Sequence, residues 1–257
     1  MHTACTMPTV PTNADTCSSG SPCMPAIRVL PGLDGTGRLS ADFLNALHTC
    51  GIRDACALAY PVDRRMDYAM LESHARALLP QDRPFVLLAE SFSGPIGLHI
   101  AAEPPPGLVG LVLSTTFARA PLPIFSPFAP WLRYAPARMP TRVLSPLLLG
   151  RWSTPALRSA LGQALDDVAP DVLRHRAMLA LRADVEDRLQ KICLPTLVLL
   201  ANQDRLMPAR ATAQLARQIV GARLHRTDGP HLLLQTRAGD CALAVVQFMA
   251  DIGQTPM

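Results

Sequence analysis

Lysine is nearly missing from this chain: Lys191 stands alone among 24 basic residues in a length of 257. With 25 prolines beside it, that bias reads as the coding preference of a GC-rich genome and carries little functional information. Charge is scarce too, at 17% of residues, and the net value is +4. No run of basic residues interleaves with aromatics, so nothing marks a nucleic-acid-binding surface. No apolar run approaches the length that crosses a bilayer, which excludes a membrane-spanning helix. The amino terminus shows neither a basic start nor an apolar core, so no secretory signal is visible. The seven cysteines at 5, 17, 23, 50, 56, 193 and 241 include no Cys-x-x-Cys pair. Odd in number and scattered, they argue against zinc ligation or a disulfide framework, and for reduced thiols in a cytoplasmic protein.

What is present is apolar surface, at 49% of residues. The length suits one α/β domain with a large core rather than two domains. Residues 1–25 are rich in Thr, Ser, Pro and Cys, show no period and carry only Asp15 as charge, which predicts a disordered tail. Met24 directly precedes the first apolar run and is the expected alternative start of translation. From 26 to 252 the chain alternates as a single domain. Apolar runs at 27–30, 55–60, 85–88, 108–113, 196–200 and 222–225 are separated by stretches of helical period, including 41–48, 68–79, 209–220 and 241–252. Such alternation predicts a mostly parallel sheet of about six strands with helices on both faces. About eighty residues then separate the strand ending near Ser114 from the one starting at Thr196, too many for an ordinary connection. The span 117–190 is therefore expected to be an inserted lid, dense in proline up to Gly150 and helical from Thr154.

The segment Ala89-Glu90-Ser91-Phe92-Ser93-Gly94 lies between the run ending at Leu88 and a helix-like stretch, Pro95 to Ala102. A serine on a sharp strand-to-helix turn projects its hydroxyl beyond the sheet, provided that the residues two before and two after it are small. Ala89 and Ser93 meet that need, although the common spelling has glycine at both places. An ordinary serine-rich turn is the competing reading, and Ser93 is a rival nucleophile whose flanks, Ser91 and Pro95, suit the turn less well.

A nucleophilic serine needs a base, and the base an orienting carboxylate. Asp204 follows the run 197–200, where a helix cap is the alternative role. His231 follows the Gly229-Pro230 break and precedes an apolar stretch; a solvated loop histidine is the alternative. Leu30-Pro31-Gly32-Leu33-Asp34-Gly35-Thr36-Gly37 follows the first strand, and its glycines let backbone approach a ligand. The N–H groups of Leu33 and Phe92 would converge on a substrate oxygen, each worth about 3 kcal/mol of transition-state stabilisation. A phosphate-binding glycine loop fits less well, because the spacing matches neither Gly-x-Gly-x-x-Gly nor a Walker loop.

Together these loops resemble those of the α/β-hydrolase superfamily, over about residues 26–252. Leu-Pro-Gly-Leu-Asp-Gly-Thr-Gly is similar to the oxyanion loop of a subgroup of bacterial hydrolases, and Ala-Glu-Ser-Phe-Ser-Gly to its nucleophile elbow. Asn-Gln-Asp-Arg-Leu-Met-Pro and Gly-Pro-His-Leu-Leu-Leu-Gln are similar to the acid and histidine loops. The resemblance implies Ser91 as nucleophile, His231 as general base and then acid, and Asp204 as the carboxylate. The implied reaction is hydrolysis of a carboxylic ester or thioester, with no metal and no organic cofactor. The family's initial antiparallel hairpin has no counterpart here, hence six strands rather than eight.

The lid bears on the substrate. Between Phe117 and Leu165 it carries Arg119, Arg133, Arg138, Arg142, Arg151 and Arg158 and no acidic residue. Arginines often cover apolar helices in this way. An anionic partner, whether coenzyme A, an acyl carrier protein or an acidic membrane surface, is the sharper expectation. Phe117, Trp131, Arg133 and Arg138 are the candidate substrate contacts, and the apolar lid favours a small to medium acyl chain. An acyltransferase or a carbon–carbon bond hydrolase would use the same triad, and a non-catalytic binding protein is the alternative of a different class.

Overall fold

The computed structural model describes residues 24–120 and 140–254. Trp131, Arg133, Arg138 and nearly all of the expected tail lie outside the described residues. In chain order the elements are β1 (Ala26–Leu30), α1 (Ala41–Thr49), β2 (Ala55–Ala57), α2 (Tyr68–Leu78), β3 (Phe85–Glu90), α3 (Gly94–Ala102) and β4 (Leu108–Ser114). Then come α4 (Thr141–Leu148), α5 (Pro155–Asp166), α6 (Pro170–Ala180), β5 (Thr196–Ala201), α7 (Ala209–Gln218), β6 (Arg223–Thr227), α8 (Leu233–Thr236) and α9 (Ala238–Gln254). Among the described residues one six-stranded sheet forms, in the order β2-β1-β3-β4-β5-β6, with every pair parallel. The six-strand α/β expectation is met.

Period-two patterning sorts the strand side chains onto two cores. Ile27, Val29, Val86, Leu88, Val112, Leu197 and Leu199 pack with Phe43 and Leu47 of α1, Leu233 of α8, and Val245 and Phe248 of α9. Leu87, Ala89, Leu111, Leu113 and Val198 pack on the other face with Leu71 of α2, Ile96 and Ile100 of α3, and Leu215 of α7. β3 and β4 are central and buried along nearly their whole length, whereas β6 is an edge whose first four residues are exposed. The loop bearing the serine therefore rises from the best-packed part of the sheet.

Two elements differ from the sequence reading. The run 55–60 pairs only to Ala57; beyond it Tyr60 N–H donates to the Gly35 carbonyl at 2.8 Å, because that chain leaves the sheet to support the loop after β1. Among the described residues between β4 and β5, a helix, α4, already stands at Thr141–Leu148, ahead of Thr154 and with Pro146 inside it. Among the described cysteines Cys50, Cys56 and Cys241 are free thiols.

Candidate active site

Ser91 lies between β3 and α3 with φ of 48°, one of two non-glycine residues in the left-handed region among the described residues. A β-carbon there is strained, and that strain is the mark of a side chain turned out of the regular path. The elbow is held on both sides: the Thr116 hydroxyl donates to the Ser91 carbonyl, and Tyr68 donates to the Phe92 carbonyl at 3.3 Å while stacking on its ring at 5.1 Å.

The Ser91 Oγ is 2.9 Å from His231 Nε2. Across the same ring, His231 Nδ1 is 2.9 Å from Asp204 Oδ2. A carboxylate only accepts, so Nδ1 carries the proton and Nε2 is left to accept from the serine. Asp204 is fixed in turn: its other oxygen accepts from the backbone N–H groups of Leu206 and Met207, both at 2.8 Å. The cap geometry foreseen as an alternative role thus coexists with the histidine contact. Both side chains are almost wholly buried, at 3% exposure for His231 and 2% for Asp204. Backbone bonds from Asn202 to Thr227 and from Gln203 to Gly229, each 3.0 Å, tie the acid and histidine loops together.

Ser93, the rival, is buried and committed. Its hydroxyl donates to the Pro31 carbonyl, so the 2.7 Å contact with Tyr60 has the phenol as donor. Burial lifts the Tyr60 phenol well above its ordinary range, against the opposing pull of the Ser93 bond and the Arg176 charge. Ser93 is therefore a tether between the elbow and the loop after β1 rather than a second exposed hydroxyl.

That loop is closed by its own bonds. Gly35 N–H donates to the Gly32 carbonyl at 3.0 Å, and the Asp34 carboxylate accepts from Thr36 N–H at 2.9 Å and from the Thr36 hydroxyl at 2.5 Å. Among the described residues, none accepts from the N–H of Leu33 or of Phe92, so both amides remain available to a ligand oxygen.

Residues that the sequence reading passed over complete the site. Glu90, next to the serine, is buried, and Gln235 donates to it at 3.0 Å; burial pushes its carboxyl up to about 7. Arg176 of α6, 2% exposed, donates to the carbonyls of Leu33 and Asp34 at 3.0 and 2.6 Å. No local signal separates Arg176 from Arg174 or Arg182 on the same stretch; Glu90 was written in the elbow itself and could have been singled out. Phe117 is buried with Ala183 and Met207, against Tyr68 and Leu206, beside the elbow and the acid loop. Among the described residues no three His, Cys, Asp or Glu side chains gather as a metal set, and no helix is long and apolar enough to cross a membrane.

The sequence pattern of the family described as serine aminopeptidase, S33 (Hydrolase_4) matches residues 63–232. The chain belongs to the α/β-hydrolase superfamily. A pimeloyl-[acyl-carrier protein] methyl ester esterase of Neisseria meningitidis serogroup A is 30% identical over 166 residues, covering 60% of this chain and 53% of that protein. A serogroup C counterpart is 29% identical over 169 residues, covering 60% of this chain and 65% of that protein. The chain thus spans between half and two thirds of the length of these relatives. Among solved structures, the enol-lactonase of Burkholderia xenovorans LB400 superposes with a TM-score of 0.74 at 18% identity, covering 92% of this chain and 94% of that one. An esterase from Exiguobacterium antarcticum gives 0.75 at 14% identity, covering 88% and 92%. At such identities the superpositions speak for the fold.

Proposed function

We propose that this α/β-hydrolase is a serine esterase that cleaves a carboxylic ester or thioester through an acyl-serine intermediate. The observation that carries this reading is the hydrogen-bonded series Ser91, His231, Asp204, each step 2.9 Å, on a left-handed serine at a strand-to-helix turn. His231 takes the Ser91 proton as the oxygen attacks the acyl carbonyl. Asp204 holds the ring in the tautomer that allows this and stabilises the imidazolium. The amides of Leu33 and Phe92 receive the developing oxyanion. His231 returns its proton to the leaving group, then activates water against the acyl-serine.

The finer reading is a methyl or comparable ester of a small to medium acyl chain on an anionic carrier, an acyl carrier protein in the first instance. Two things support it. The relatives from N. meningitidis are described as acting on a pimeloyl-acyl-carrier-protein methyl ester. The Phe117, Met207 and Tyr68 cluster offers an apolar wall next to Phe92 for an acyl chain.

The test is labelling with a fluorophosphonate probe alongside hydrolysis of 4-nitrophenyl butyrate. Ser91→Ala should abolish labelling and lower kcat by about 10⁴-fold or more. Ser93→Ala should still be labelled. Labelling that persists in Ser91→Ala would remove the assignment.

A further inference from the structure

Arg176 is the largest of the fully buried side chains among the described residues, and none of those residues offers it a carboxylate partner. A buried guanidinium is costly unless its N–H groups are satisfied. Here they meet three backbone carbonyls: Leu33 at 3.0 Å and Asp34 at 2.6 Å from Nη1, and Pro61 at 2.9 Å from Nη2. Burial lowers the pKa of Arg176, while the Asp34 carboxylate and the Tyr60 ring's hydroxyl pull it back. The guanidinium also lies 5.7 Å from the centre of the Tyr60 ring, within reach of a cation–π contact. The surrounding backbone is shaped to admit it: Gly35 has φ of +67°, and a β-carbon there would fall 2.4 Å from Nη1.

The consequence concerns the Leu33 amide. A planar trans peptide points its N–H opposite to its C=O. The Gly32 carbonyl is turned inward to Gly35 N–H, so the Leu33 N–H of the same peptide faces the other way. That orientation holds only while residues 33–35 keep their turn, and Arg176 grips the two carbonyls within it. The other end of the loop is tied at Pro31 by Ser93, which Tyr60 supports. The elbow therefore fixes the start of the loop, and α6, more than 140 residues along the chain, fixes its tip.

We infer that Arg176 is a positioning residue through which the segment between β4 and β5 sets the oxyanion loop, so that the Leu33 N–H is aimed only while α6 is docked. This rests on the reading of Leu33 and Phe92 as oxyanion donors. A positioning group of this kind acts on the transition state more than on substrate affinity.

The test is steady-state hydrolysis of 4-nitrophenyl butyrate by Arg176→Ala, Arg176→Lys and Gly35→Ala, with fluorophosphonate labelling and thermal unfolding on the same samples. Loss of one aimed donor is worth roughly a hundred-fold in kcat. Arg176→Ala should show about that loss with KM within about threefold of the parent, and non-denaturing guanidinium should return at least threefold of it. Gly35→Ala, which displaces the guanidinium, should reproduce the loss without rescue. A kcat within threefold of the parent in Arg176→Ala would overturn the inference, as would a loss matched by loss of folded protein. If Arg176→Ala does not fold, Arg176→Lys decides: a tenfold or larger fall in kcat at unchanged KM supports the role, and an unchanged kcat refutes it. Should labelling survive Ser91→Ala, the active-site reading itself falls; should Ser91 prove essential and Arg176 dispensable, only this inference does.

Discussion

Glu90 sits one residue from the proposed nucleophile with 2% exposure. Desolvation is the first cause of its raised pKa; the Gln235 bond opposes it, the Asp34 carboxylate adds to it and His231 counters. The folded value of about 7 stands above the ordinary 4.5, so the native protein keeps a proton that the unfolded chain releases. Stability is then intact below about pH 4.5, falls as the pH rises through 7, and levels off above. Between pH 5 and 8 the loss traceable to this group is about 2 kcal/mol. Glu90→Gln should abolish that part of the pH dependence, read by urea unfolding at the two pH values; parallel profiles for variant and parent would show that burial of the charge is not felt. Ser91, Asp204 and His231 differ from Glu90 in their local sequence. Those three stand on loops punctuated by glycine or proline after apolar runs, so local pattern singles them out as candidates. The pull on Glu90 and the partners of Arg176 arise from residues more than fifty positions away in the chain, which local pattern does not encode.

At the scale of one element, the β3–turn–α3 unit explains how the elbow forms without its usual glycines. The room missing at Ala89 is supplied from the helix: a β-carbon on Gly97 would lie 2.6 Å from the Ala89 Cβ. The other missing glycine is replaced by a side chain with a task, since the Ser93 hydroxyl joins Pro31 and Tyr60. The strand–turn–helix order was legible from the apolar run and the helical period. The compensation at Gly97 was not, because it depends on how closely helix and strand approach. Gly97→Ala should cost about 1–3 kcal/mol by overpacking. Ala89→Gly in that background should recover about 1 kcal/mol or more beyond additivity. A double-mutant cycle by chemical denaturation measures this, and strict additivity would mean that the two positions do not share the space.

Across the whole molecule, the chain between β4 and β5 touches every loop of the site. Arg176 reaches the loop after β1, the Leu148 carbonyl accepts from Leu232 N–H at 3.0 Å beside His231, and the Pro146 carbonyl accepts from Arg205 at 2.9 Å beside Asp204. Its positive charge is partly spoken for. Arg119 lies within 3.7 Å of Asp184 and 3.6 Å of Glu186, and Arg151 within 2.6 Å of Asp228. Arg142 and Arg158 have no carboxylate partner among the described residues. Exposed pairs of this sort add at most about 1 kcal/mol to stability, so their larger effect is on the field that an approaching ligand meets. A macromolecular carrier with a negative surface would be drawn by that field over a Debye length, whereas a small neutral ester would not. Hydrolysis of a methyl ester on an acyl carrier protein should therefore lose roughly tenfold in kcat/KM between low salt and a few hundred millimolar NaCl. Turnover of 4-nitrophenyl butyrate should change by less than about twofold over the same range, because neither its binding nor its encounter depends on charge. Equal salt responses for the two substrates would assign the arginines to covering apolar helices, and the carrier reading would fall while the esterase reading stood.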